Sequence, residues 1–286
     1  QTFSINARTN GIYYTSASLS FLEPWLGGKR PNSLSVSIYF ANQTGYSKRY
    51  QQAYTNLYNT YSNYYYYSGN SDYYQQLAES EADKDQYLRT LGASIGYGKR
   101  LRWPDDYFTF YGELSYQMYM MKDWPYLLIT DGTSHNLSIN LQLSRSSIDN
   151  PIYTRRGSQF TLGLKITPPW SIINGKDYSK MTTSERYKLI EYHKWKFSGK
   201  VFKPLTRDSK LVLMTRAEFG YLGHYNEYAK SPFETFFMGG DGMSSYTSYS
   251  TEYVAMRGYP SGSLTPYDAT MGRNMGYLYN KFTMEL

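Results

Sequence analysis

Residues 136–143 read Asn136-Leu137-Ser138-Ile139-Asn140-Leu141-Gln142-Leu143, with every odd position apolar and every even one polar. A period of two puts Leu137, Ile139, Leu141 and Leu143 on one face of an extended chain and the amides and hydroxyls on the other. The same alternation returns in 33–40, where Leu34, Val36, Ile38 and Phe40 share a face. It returns again in 158–166, where Phe160, Leu162, Leu164 and Ile166 oppose Gln159, Thr161, Gly163 and Lys165. Residues 210–221 set Leu211, Leu213, Ala217 and Phe219 against Arg216 and Glu218, and weaker copies cover 2–7, 14–22, 89–97, 108–120, 195–201 and 278–286. These make ten candidate strands with one consistently apolar face.

Strands of about ten residues, rising about 3.3 Å per residue and tilted, cross a bilayer. Soluble sandwich strands average only about five or six residues, so the pattern favours an all-β, transmembrane, antiparallel up-and-down β-barrel, with lipid on the apolar face and a watery lumen on the polar one. The composition agrees with this reading. Tyr 35, Phe 13 and Trp 5 concentrate the apolar content in rings, mean hydropathy is −0.62, and no run approaches the roughly 18 apolar residues of a spanning helix. Cys 0 removes disulfide scaffolds and thiolate chemistry. The net charge of +7 comes without a block of like charges, so no nucleic-acid tail is expected. The chain opens without a charged-then-apolar leader, so no signal peptide is expected in it.

The connections alternate between short and long, as periplasmic turns and extracellular loops do in such barrels. The long ones include 41–86, a Tyr-rich extracellular loop with four consecutive tyrosines at 64–67, and 222–276, which is expected to fold into the lumen. Asn10-Gly11 is a tight hairpin signal on the side where a long loop is expected, so the alternation is imperfect.

Signals for chemistry are sparse. His135, His193 and His224 lie far apart with no Ser or carboxylate in a recognisable arrangement, so solvated loop histidines are the expectation and no enzyme activity follows. Gly239-Gly240-Asp241-Gly242 lacks the Lys-Ser/Thr of a phosphate loop, and its glycines suit a tight strand-to-loop junction. Glu79, Glu81, Asp83 and Asp85 read as a solvated loop face rather than a metal site, and no cofactor is called for. If Phe282, Met284 and Leu286 face lipid, Lys281, Thr283 and Glu285 face the lumen. An inward-folding loop could then dock Arg257, in Met256-Arg257-Gly258-Tyr259, on Glu285 through a bidentate contact.

The run Phe233-Glu234 through Phe237-Met238-Gly239-Gly240-Asp241-Gly242, followed by Met256-Arg257-Gly258-Tyr259, resembles loop six of the BamA family of outer-membrane protein assembly factors, whose aromatic-Gly-Gly run precedes Val-Arg-Gly-Phe. Thr283-Met284-Glu285-Leu286 resembles the strand that follows. Tyr153-Thr154-Arg155-Arg156-Gly157-Ser158 resembles the family's Pro-Thr-Asp-Gly-Ser turn, and Glu23-Pro24-Trp25 to Pro31 an Asn-Pro-Tyr turn. The resemblance implies a lock of Arg257, Gly258 and Tyr259 on Glu285, with Gly239 and Gly240 at the loop junction. About fifteen residues separate the Gly pair from the Arg, where enterobacterial members have a few, and Met-Arg-Gly-Tyr replaces Val-Arg-Gly-Phe. Together with the Tyr-rich loop, these departures suggest a divergent, Bacteroidetes-like lineage.

By the same resemblance, residues 1–286 are a partial barrel domain whose ten strands correspond to the third to twelfth of sixteen, with the first and last strands and the periplasmic POTRA repeats not included. The implied activity is folding and insertion of other β-barrel proteins into the outer membrane of a Gram-negative bacterium without ATP. The implied partners are periplasmic and outer-membrane assembly lipoproteins (the BAM complex), unfolded β-barrel clients, and outer-membrane lipid and lipopolysaccharide, with no nucleic acid. A porin or single-client secretion channel is the alternative.

Overall fold

The computed structural model describes the chain apart from residues 11–12, 29–31, 47–81, 125–126, 242–251 and 270–271. Nine strands run in order: β1 (Thr2–Asn10), β2 (Tyr14–Glu23), β3 (Asn32–Tyr46), β4 (Ala82–Arg100), β5 (Phe108–Lys122), β6 (Gly132–Ser146), β7 (Gly157–Ile166), β8 (His193–Pro204) and β9 (Val212–Gly223). Four short strands follow, β10 (Phe236–Met238), β11 (Glu252–Val254), β12 (Tyr267–Asp268) and β13 (Arg273–Asn274), before β14 (Leu278–Glu285). β1 to β9 and β14 make a single ten-stranded antiparallel meander with β1 and β14 at its edges, so the sheet is not closed. Every expected strand is present in the expected order.

The alternation sorts side chains as the period predicts. Phe3, Ile5, Leu19, Ile38, Ile95, Leu114, Ile139, Leu162, Val201 and Phe282 are exposed on one face, where only lipid makes such exposure favourable. The opposite face is stitched by hydroxyl pairs at directly opposed positions: Ser37 with Ser94 at 2.8 Å, Ser115 with Ser138 at 2.8 Å, and Ser144 with Thr161 at 3.2 Å. Gly92 stands opposite Tyr39, whose ring fills the space a Cβ would take.

Some elements differ from expectation. β3, β4, β5 and β6 have 15, 19, 15 and 15 residues and overrun a bilayer, because their backbone ladders continue beyond the apolar rows. The expected loop 41–86 is therefore strand at both ends. Its tyrosine run, with Glu79 and Glu81, lies outside the described residues. The connection between β7 and β8 contains two short helices, α1 (Trp170–Asn174) and α2 (Thr183–Arg186). The second is started by a capping box: Thr182 Oγ1 accepts the Glu185 N–H, and the Glu185 carboxylate accepts the Thr182 N–H. His135 and His193 are strand residues in an aromatic girdle rather than solvated loop groups. Tyr116 hydroxyl and His135 Nδ1 are 2.7 Å apart, and Trp195 Nε1 donates to His193 Nδ1 at 3.2 Å.

The β5–β6, β7–β8 and β9–β14 connections leave the sheet at one end. A compact core forms there on the lumenal side, with Trp124, Ile190, Tyr192, Phe233 and Phe236 at its centre, fed by the β5–β6, β7–β8 and β9–β14 connections. No helix among the described residues is long and apolar enough to cross a membrane.

Candidate functional site

The segment between β9 and β14 folds back over the polar face. β10 pairs in parallel with β11, Phe236 exchanges backbone hydrogen bonds with Gly276, and Met256 N–H donates to Gly240 O at 2.7 Å. Gly239 and Gly240 sit where 238–240 meets 254–265, both with positive φ (129° and 79°). A Cβ on Gly239 would strike Pro260 O, and one on Gly240 the Tyr253 hydroxyl.

This segment is held to the wall by two carboxylates. Glu234 Oε1 lies 2.5 Å from Lys165 Nζ of β7, and its Oε2 lies 3.1 Å from Lys194 Nζ of β8. Glu252, at the start of β11, meets Lys194 at 2.8 Å and Lys196 at 2.5 Å. Lys194 is thus shared between both acids, with only 3% of its side chain exposed and its Nζ 4.7 Å from the centre of the Phe236 ring. On the other side of the cavity, Lys281 of β14 donates to Ala255 O at 2.8 Å and pairs with Glu218 of β9 at 3.4 Å.

The local sequence explains the aim of Glu234. In Phe233-Glu234-Thr235-Phe236 both rings are buried, Phe233 stacked on Tyr119 at 5.2 Å and Phe236 edge-on to Tyr279 at 4.8 Å. Two anchored rings around one acid leave that acid to face the lysines, and Glu234 adopts φ 68° to do so. That left-handed backbone costs a non-glycine residue of order 1–3 kcal/mol, a strain that packing and ion pairs must offset. Burial works against ionisation of Glu234, but Lys165 and Lys194 outweigh it and hold its carboxyl below the ordinary value. Glu252 is likewise opposed by burial and lowered overall by Lys194 and Lys196. A cavity of about 500 Å³ remains beneath the segment, lined by these charges with Asn140, Gln142 and Thr161.

The structure does not bring Arg257 to Glu285. Arg257, Gly258 and Tyr259 form an exposed turn, and the Arg257 guanidinium has no ion pair among the described residues. The reason is register: Lys281 already holds Ala255, and Glu285, opposite Met214, lies four residues further along β14, about 13 Å away at 3.3 Å per residue. The clamp is therefore of opposite polarity to the expected one, with acids on the loop and cations on the wall. Lys165 and Glu234 were visible as an inward cation and a motif residue. Lys194, Lys196 and Glu252 were missed, although even-numbered lysines in β8 follow the inward period.

A lipid-facing antiparallel sheet with a long connection clamped against its polar face defines the transmembrane β-barrel class with an inward-folded loop. The Omp85 superfamily domain matches residues 1–286, and the chain belongs to the Omp85 superfamily. Among solved structures it resembles BamA from Haemophilus ducreyi lacking POTRA domains 1–3, with TM-score 0.59 and 16% identity over 99% of this chain and 46% of that one. The chain thus spans just under half of that structure's length. A comparison with curated protein sequences returns no match.

Proposed function

We propose that this domain is the central part of the barrel of an outer-membrane β-barrel assembly factor, folding and inserting other β-barrel proteins without ATP and without an enzymatic active site. Membership in the Omp85 superfamily and the barrel fold support a place in a Gram-negative outer membrane and a role in protein insertion or transport. The observation that carries the finer reading is the clamp of Glu234 and Glu252 on Lys165, Lys194 and Lys196. A connection held in the lumen by four ion pairs keeps solute flow low and stiffens the wall formed by β7, β8, β9 and β14, a scaffold on which other strands can be exchanged. Unfolded barrel clients, assembly lipoproteins and lipopolysaccharide are the partners in this reading.

The polar cavity of about 500 Å³ beside the clamp favours a second reading, a single-client secretion channel or porin. Depletion of the native protein, with quantification of many outer-membrane barrels and planar-bilayer conductance of the purified protein, separates the two. Loss of many barrels together with low conductance supports the assembly factor. Loss of one client, or steady conductance with normal biogenesis, overturns it.

A further inference from the structure

The end of the sheet opposite the core carries the short turns 101–107, 147–156 and 205–211, and these have a chemistry the clamp does not use. Lys99, Arg145 and Lys203 are each the penultimate residue of a strand running to that end, β4, β6 and β8 respectively. By the period of two, each continues an outward apolar row: Ile95 and Tyr97, Ile139 to Leu143, and Phe197 and Val201. Two of the rows resume as apolar beyond the cation, at Leu101 and Leu205. Exposed large side chains follow in the turns, with Trp103 82% exposed and Ile152 and Tyr153 both 79%.

Three acids of these turns, Asp149, Asp105 and Asp208, are consumed locally, while Asp106 is exposed. Asp149 Oδ1 accepts the N–H groups of Asn150, Arg155 and Arg156 at 3.0–3.2 Å. Asp105 accepts from Tyr107 N–H at 3.0 Å and pairs with Arg145 at 2.8 Å. Asp208 accepts the Lys210 N–H at 3.3 Å. Arg102, Arg155, Arg156 and Arg207 are exposed and have no ion pair among the described residues. A belt of rings and aliphatics with outward Lys99 and Lys203 at strand ends, Arg145 already matched to Asp105, and three of its four carboxylates turned onto their own turns is complementary to a layer of hydrocarbon capped by anionic phosphate.

We propose that this rim is a docking belt for the headgroups of anionic phospholipids in the periplasmic leaflet. The inference rests on the outer-membrane barrel reading. An acidic protein partner fits less well, because Lys99 and Lys203 lie within lipid-facing rows on the outside of the wall rather than across its mouth. The native protein, purified from its own membrane, is reconstituted in vesicles containing brominated phosphatidylglycerol or brominated phosphatidylcholine. Quenching of Trp103 by the brominated lipid is taken as the difference between the parent and Trp103→Phe, and total tryptophan quenching reports embedding through outward-facing Trp195.

The expected result is stronger Trp103 quenching by the anionic lipid, weakened by salt. In the Lys99→Gln, Lys203→Gln and Arg155→Gln/Arg156→Gln variants the preference should fall about fivefold per cation removed. Equal Trp103 quenching by the two lipids, with strong total quenching, overturns the docking belt and leaves the barrel standing. So does a rim quenched by neither lipid while Trp195 is quenched, which points to a protein cover. Absence of all quenching overturns both the belt and the barrel. The parent comparison requires only Trp103→Phe to fold, which its remaining quenching through Trp195 reports.

Discussion

Lys194 and Glu234 meet at 3.1 Å between the barrel wall and the segment that folds over it, and Lys194 turns the same ammonium to Glu252 at 2.8 Å. A single nearly buried cation serves two loop carboxylates, Glu234 just before β10 and Glu252 at the start of β11. Its removal therefore affects both.

Lys194→Met removes the shared cation and leaves Glu234 and Glu252 each with one lysine. Breaking a buried pair on one side costs about 3–5 kcal/mol, so the 224–277 segment should lose its docking. Limited proteolysis and amide exchange across β10 and β11 provide the check. Unchanged protection would remove Lys194 from the clamp.

Reversing one contact tests polarity. Glu234→Lys alone sets three lysines against one another and should release the segment, and Lys165→Glu alone sets two carboxylates together. The double variant should recover part of the protection, since one attractive pair returns while Lys194 keeps only Glu252 and faces a new lysine. A double variant no better than the worse single one would sink the pairing.

Acid should loosen the same contact. Glu234 and Glu252 are held below the ordinary carboxylate value of 4.5, so the folded state binds their protons more weakly than the unfolded state does. Their contribution is complete above about pH 4.5 and is lost as pH falls through the lower folded values. Protease sensitivity of the 224–277 segment, followed from pH 7 downward, should stay flat and then rise below that point. A rise centred near pH 6 would instead implicate a histidine.

Arg257→Glu alters an exposed side chain without an ion pair among the described residues. It should shift the stability of the docked segment by no more than about 0.5 kcal/mol, as surface changes do. Urea titration of the reconstituted protein decides this. A large loss would restore the Arg257 lock on Glu285.

Ile139→Arg places a charge on the lipid face at mid-strand, where it should cost about 2–4 kcal/mol, whereas Asn140→Arg, one residue on, faces the lumen and should cost much less. Folding yield into vesicles, read from heat-modifiable mobility, distinguishes the two. Equal yields would mean the faces have been assigned the wrong way round.

The ten strands, their order and their two faces were determined by the sequence itself, because a period of two is a local property. Any segment such as 136–143 shows which side chains can meet lipid without reference to the rest of the chain. The capping box at Thr182 to Glu185 was equally local and could have announced α2. The clamp was not local. Glu234 is separated by 69 residues from Lys165 and by 40 from Lys194, and nothing in either stretch specifies the other. Burial of Phe233 and Phe236 in the core, the positive φ at Glu234, and the hold of Lys281 on Ala255 together choose which acid meets which cation and leave Arg257 in solvent. Only the tertiary structure could decide that, because ion pairs depend on where the backbone has already placed the charges.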